Sequence, residues 1–375
     1  MGTSSLVEPA GSATHARNRR SIPSLDGLRA LSVLAVVSGH TQSAFLDGLP
    51  FKSLFHHEYQ GVAMFFVISG FLITHLLLKE LRRDGSIDLK RFYLRRTLRI
   101  FPPFYAYLAA IAILIFTGRS QINATSMLAA ATYTWNYIPQ ANGWLIGHCW
   151  SLTLEEQFYL LWPVCMTFFS RRVNLRIAIG VIVLSPLSRV VTYVAVPAFK
   201  GKLWMMLHTR LDTIMMGCLL ALLIEMNLWP RIRKAACHPV AVIAAVSFLL
   251  FAHPPLEERW KGWYSMPAGI SLENVAMAVI LLYAVFCHES PLGKVLNSRP
   301  LRHLGVISYS LYLWQQLFTG PQPPGLPLNV LFIVVCAELS YFLVERPSLR
   351  IRDRLEKLLA ARGVFAGRST PATVQ

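Results

Sequence analysis

Apolar runs of about 17–25 residues, each long enough for a helix to cross roughly 30 Å of hydrocarbon, recur along this 375-residue chain. Such a pattern dictates a helical bundle in a membrane, where every backbone polar group must be satisfied internally. Composition agrees: 54% of residues are hydrophobic and 15% charged, against roughly 25% charged in soluble domains. Mean hydropathy is +0.46. Ten spans are expected, at 27–46, 60–78, 100–117, 152–169, 177–196, 211–228, 239–253, 268–287, 304–319 and 328–344. An even number puts both termini on one side. With that side inner, 28 of the 36 Lys and Arg fall in inner segments, as the positive bias of cytoplasmic loops requires. The expectation is an all-α, polytopic integral membrane protein of about ten transmembrane helices with both termini cytoplasmic.

The formal net charge of +17 is accounted for by those inner segments, and no nucleic-acid-binding motif accompanies it. Six cysteines without a CxxC spacing read as small apolar residues rather than disulfides or metal ligands. The N-terminus is polar through Pro23, without the apolar core of a signal peptide, so the first apolar segment is expected to remain as a permanent helix. Residues 1–22 read as a disordered basic cytoplasmic N-terminus, 23–347 as the transmembrane domain and 348–375 as a basic cytoplasmic tail. Residues 123–150 are only partly apolar and are interrupted by Pro139, Asn142 and Gly143. They are expected to form an outer-face or re-entrant element with its backbone buried in protein or facing water. No internal repeat is visible, which weighs against transporter folds built from duplicated halves.

Ionisable residues inside such spans are costly and mark function. In "SLDGLRALSVLAVVSGH" (24–40), Asp26 and Arg29 stand at one end and His40 at the other. Eleven residues bring a helix back to within about 20° of the same face and about 16 Å further along. Arg29 and His40 therefore share a stripe that could line a polar cavity; a snorkelling Arg and a packing His are the alternative. In "WSLTLEEQFYLLWP" (150–163), Glu155 and Glu156 occupy the first turns of a span, close to the outer interface. A Glu there and a His on an adjacent helix would make a base and its orienter. In "KRFYLRRTLRIFPPFY" (90–105), Arg96 and Arg99 are three apart and can project from one face. Interleaved with tyrosines, they suit a nucleotide bearing several phosphates, or else an anchor to lipid headgroups. Asp212, with Arg210 two residues before it, either pairs with that arginine or lines a pocket. Tyr309, Ser310 and Tyr312 add hydroxyls to an otherwise apolar helix.

Taken in order, these stretches, with "GVAMFFVISGFLIT" and the closing "VERP", resemble the acyltransferase 3 family of integral-membrane acyltransferases over roughly residues 22–347. The family's arginine separated by ten residues from a histidine is matched by Arg29 and His40. Its RxxR pair is matched by Arg96 and Arg99, its WSLxxE element by Trp150 and Glu155, and its RxD element by Arg210 and Asp212. Ala63 stands where many relatives carry an acidic or polar residue before the paired phenylalanines. The SGNH hydrolase-like domain that many relatives carry is absent from this sequence, so a stand-alone form is expected.

The resemblance implies an O-acyltransferase of the bacterial inner (plasma) membrane, moving an acyl group, most often acetyl, from acyl-CoA to a hydroxyl of a carbohydrate or glycosylated small molecule. His40 would be the general base and Glu155 its assistant, with Arg96, Arg99, Arg95 and Arg29 binding acyl-CoA. Asp26, Trp150, Arg210, Asp212 and Tyr309 would line the acceptor pocket or hold it together. Neither a metal nor a bound cofactor is expected; acyl-CoA is a co-substrate, membrane lipids are partners and nucleic acid is not. The rival class is a proton-coupled transporter or flippase for a lipid-linked sugar or anion, with His40, Glu155 and Asp212 as a proton relay.

Overall fold

The structure, a computed structural model, describes residues 22, 24–41, 58–228, 230–320 and 324–365. Apart from Ile22, the expected basic N-terminus lies outside the described residues, as do 42–46 of the first span and the last ten residues of the tail.

Helices dominate, and the described residues contain no strand. In chain order the principal ones are α1 (Leu25–His40), α2 (Glu58–Asp84), α3 (Leu89–Phe116), α4 (Ala124–Ala131), α5 (Cys149–Phe168), α6 (Arg171–Ala195) and α7 (Leu207–Glu225). They are followed by α8 (Pro239–Ser247), α9 (Ile270–Phe286), α10 (Arg299–Val306), α11 (Ser308–Phe318), α12 (Leu328–Ser340) and α13 (Arg346–Ala361). Several continue beyond these bounds: a 3₁₀ segment Pro197–Met205 leads into α7, and a π-turn Tyr341–Glu345 joins α12 to α13.

Seven helical stretches among the described residues are long and apolar enough to cross a membrane. They contain α2, α3, α6, α7, α8, α9 and α12. The other three expected spans are built differently. Helix α1 has 16 residues and α11 has 11, while α5, at 20, is diluted by Glu155, Glu156 and Gln157. Helix ends also differ from the apolar runs. The basic stretch 79–99, expected as a loop, belongs mostly to α2 and α3, which approach each other across residues 85–88. Apolarity reports only the part of a helix that meets hydrocarbon, and both helices project past it.

The centre of the bundle is α2, which packs against α1 on one side and α7 on another. Two glycines set the second contact. A Cβ on Gly70 would sit 1.9 Å from the Ile214 carbonyl oxygen, and one on Gly217 would sit 2.0 Å from that of Val67. Small residues let helix backbones approach where lipid supplies no hydrophobic drive between helices. Caps hold the starts of the outer helices: Asp88 accepts from the Arg91 backbone N–H at 3.0 Å, and Ser170 from that of Val173 at 3.4 Å.

The interrupted segment 123–150 folds as α4, a 3₁₀ turn Trp135–Tyr137 and a short helix Trp144–Gly147. Buried side chains satisfy its irregular backbone. Lys202 donates to the carbonyls of Trp135, Ile138 and Ala141 at 3.2, 2.6 and 2.8 Å, and Tyr107 donates to that of Leu145 at 2.5 Å. The expected tail is an amphipathic helix through Ala361 that lies back along α3.

Candidate active site

The first turns of α3 gather the arginines at one end of the bundle. Arg91 and Arg95 both reach Glu356 of α13, through Nε–carboxylate hydrogen bonds of 2.8 and 2.7 Å. Arg95, grouped in the sequence with Arg96 and Arg99, is thus tied to the returning helix. Arg96 turns inward, its guanidinium 5.6 Å from the Phe92 ring centroid and 5.3 Å from that of Tyr159. Arg91, Arg95 and Arg96, with Lys79, Arg83, Arg352 and Lys357, line a basic vestibule of about 640 Å³.

Arg96 and Arg99 also line a second, narrower cavity of about 90 Å³ inside the bundle. The vestibule and the inner cavity therefore meet at this pair. Arg29 of α1 enters the inner cavity together with Glu155, Glu156, Tyr309 and Tyr312. Asp26, a turn before Arg29, lies within its electrostatic reach, as does Glu345. The π-turn carries Glu345 into the interior, where it is 2% exposed and accepts from the Ser310 hydroxyl at 3.0 Å. Tyr309 donates to the Ile100 carbonyl at 3.0 Å.

His40 stands at the other end of α1. Its Nδ1 is 3.0 Å from Gln315 Oε1, and its ring meets that of Trp144 edge-on at 5.5 Å. Gln315 Nε2 donates to Gln316 Oε1 at 2.7 Å, and Thr319 donates to Gln315 Oε1 at 3.2 Å. In this arrangement the amide oxygen faces the imidazole. Because that oxygen only accepts, Nδ1 carries the proton and Nε2 is left as the basic nitrogen. His40 is partly exposed.

Helix α11 joins the two regions. Tyr309 and Tyr312 face the inner cavity, and Gln315 follows Tyr312 by three residues, about 4.5 Å along the axis. The Tyr312 hydroxyl also contacts Ser151 Oγ at 2.5 Å.

The expected contact between His40 and Glu155 is not formed. Glu155 accepts from Ser69 Oγ at 2.7 Å. Ser69 lies eleven residues beyond Glu58, so Glu155 sits about 16 Å deeper than the start of α2. Glu58 itself reaches over Gly39, next to His40. The carboxylate beside His40 is that of Glu58, and Glu155 instead faces Arg29 and Arg96. Arg210 and Asp212 likewise take other partners than each other. Asp212, fully buried, accepts from Arg189 Nη1 and from Asn274 Nδ2, both at 3.0 Å. Arg210 Nη2 reaches Glu273 Oε2 at 3.4 Å. Residues 210 and 212 of a helix point about 200° apart, so each meets a different neighbour. Trp150 packs edge-on against Phe66 at 5.8 Å, beside the inner cavity.

Gln315, Glu345, Glu356 and the buried His148 were not singled out in the sequence. Gln315 stands in "SYSLYLWQ" (308–315), the stretch of Tyr309, Ser310 and Tyr312, and Glu345 in "VERP"; polar letters in apolar helices are the available signal.

Comparison with known proteins places this geometry in a family. The chain is 29% identical to the peptidoglycan O-acetyltransferase OatA of Listeria monocytogenes, over 88% of this chain and 56% of that protein. It is 29% identical to the O-acetyltransferase OatA of Staphylococcus aureus, over 88% of this chain and 57% of that one. The chain thus spans somewhat more than half the length of these relatives. No solved structure matches. The acyltransferase domain model of the acyltransferase 3 family matches residues 22–339, from the start of α1 into α12, and the chain belongs to that family.

Proposed function

We propose that the protein is a membrane O-acetyltransferase that moves an acetyl group from acetyl-CoA to a hydroxyl of a cell-envelope glycan. The observation that carries this reading is the junction at Arg96 and Arg99 of a wide basic vestibule with a narrow inner cavity that also takes in Arg29, Glu155 and Tyr312. A polyphosphorylated nucleotide carrying a slender acyl arm needs that sequence of spaces. Arginine forks match phosphate oxygens in the vestibule, and the arm follows the Arg29 face of α1. The relatives named peptidoglycan O-acetyltransferase support a glycan acceptor.

In this mechanism His40 Nε2 accepts the proton of the acceptor hydroxyl while its oxygen attacks the thioester carbonyl. The carbon–sulfur bond breaks, and the coenzyme leaves as thiolate to take up a proton. Gln315 holds the neutral tautomer that can act as base, and Glu58 steadies the imidazolium that forms. Glu155, held by Ser69, orients Arg29 and Arg96 rather than the histidine. The basic end faces the cytosol, where the donor is made, and the ten-helix topology with both termini inside follows from the same charge bias. The location is the bacterial plasma membrane.

The test uses the purified full chain with acetyl-labelled acetyl-CoA and peptidoglycan fragments. Labelled ester on the glycan is expected. Gradient-dependent uptake without any ester would instead fit the proton-coupled carrier.

A further inference from the structure

A third cavity, of about 280 Å³, lies at the His40 end of the bundle but on another face of α2. Glu58 and Gly61 of α2, three residues apart, face α1. Tyr59 and Gln60, between them, line this cavity. Its aromatic walls are Tyr59, Trp150 from the first turn of α5 and Trp204 from the 3₁₀ segment before α7. Trp150 also borders the inner cavity through Phe66, so the indole stands between the two spaces.

The polar lining differs in kind from that of the vestibule. Arg210 and Lys261 are balanced by Glu257 and Glu273, so the site offers donors and acceptors without a net charge. Arg210 and Glu273 are 4% and 3% exposed and touch each other through one atom pair only, at 3.4 Å. Arg210 Nε and Glu273 Oε1, both buried, have no partner. A buried donor and a buried acceptor left unpaired are each costly and are normally satisfied. Both residues also line this aromatic cavity. A polyanion would meet the two carboxylates, and an acyl chain would leave the charged lining without partners. An uncharged, polyhydroxylated ring fits: its C–H faces lie on the indoles, and its hydroxyls pair with the charged side chains of the wall.

We infer that this cavity is a sugar-binding subsite for an oligosaccharide acceptor, holding a ring adjacent to the one whose hydroxyl His40 deprotonates. The turn Glu58–Gln60 separates the two positions, so a chain of at least two rings is needed to occupy both. The inference rests on the acyl-transfer reading for the identity of the reacting ring; sugar binding in the cavity is tested without it.

The experiment is equilibrium dialysis of the purified full chain against a labelled peptidoglycan tetrasaccharide, with no donor present. Trp204→Ala, in a half-buried wall residue, is expected to weaken tetrasaccharide binding at least tenfold and leave acetyl-CoA binding unchanged. Arg210→Lys, which keeps the charge but removes the planar fork of donors, is expected to do the same. Unchanged acetyl-CoA binding certifies that each variant is folded. Equal tetrasaccharide affinity in the wild type and both variants, or no binding by the wild type, overturns the subsite. Binding that is sensitive to Trp204, with no ester formed when acetyl-CoA is then added, would uphold the subsite and refute the acyl-transfer reading.

Discussion

At the scale of single residues, the proposed chemistry rests on His40 and Gln315. Replacing His40 by Ala removes the proposed general base, and general-base assistance of this kind is worth about 10²–10⁴-fold. His40→Ala is expected to lose at least 100-fold in acetyl transfer at unchanged abundance in the membrane, measured as labelled ester per milligram of protein. Near wild-type activity would remove His40 from its role. Gln315→Leu keeps the imidazole but frees Nδ1, so either nitrogen can carry the proton. A fall in kcat of roughly tenfold with little change in either KM is expected, because the hydrogen bond acts through the histidine rather than on a substrate. Neither effect was readable from residue 315 alone. Its importance comes from a partner 275 positions away, whereas Arg29 and His40 announce themselves by the cost of their own groups in an apolar run.

Among the elements, the helices that carry most of the proposed site are those least like ordinary spans. Helices α1 and α11 are short and α5 is rich in polar residues, and between them they supply Arg29, His40, Glu155, Tyr309, Tyr312 and Gln315. The seven longer stretches form the scaffold around them. This division explains why the apolar runs located the scaffold well and one site helix less exactly: 304–319 merged what are two shorter pieces. Scaffold packing depends on close backbone approach, so Gly217→Val drives a side chain into the α2 backbone at Val67 and Phe71. A loss of about 1–3 kcal/mol is expected from such overpacking, seen as a lower Tm in detergent. The tie between α3 and α13 is different in kind. Glu356 lies in the rim of the basic vestibule, and Glu356→Gln removes one negative charge from it while preserving shape. The variant is expected to show a donor KM lowered several-fold at low salt, with stability changed by less than about 1 kcal/mol for a partly exposed pair.

For the whole molecule, the arginine cluster and the imidazole lie at opposite ends of α1, about 16 Å apart. The sequence pattern made this separation legible, since the Arg29–His40 spacing, the Arg96–Arg99 pair and the basic bias all stand in single segments. What it left open was which groups meet across segments. The expected His40–Glu155 pair is replaced by His40–Gln315 with Glu58 nearby, and Arg210–Asp212 by two separate pairs with Glu273 and Arg189. Helix rotation and depth decide such partners, and neither is encoded in the spacing within one helix. Replacing Arg96 and Arg99 together by Ala is expected to raise the donor KM at least tenfold with the acceptor KM little changed. An unchanged donor KM would contradict the phosphate assignment.

The separation of the two ends is tested most directly in sealed vesicles containing the full chain in one orientation. Acetyl-labelled acetyl-CoA is supplied only on the basic side and a membrane-impermeant glycan only on the other. Labelled ester on the glycan, absent with His40→Ala, is the predicted result. Ester formed only when donor and glycan share one side would contradict the account.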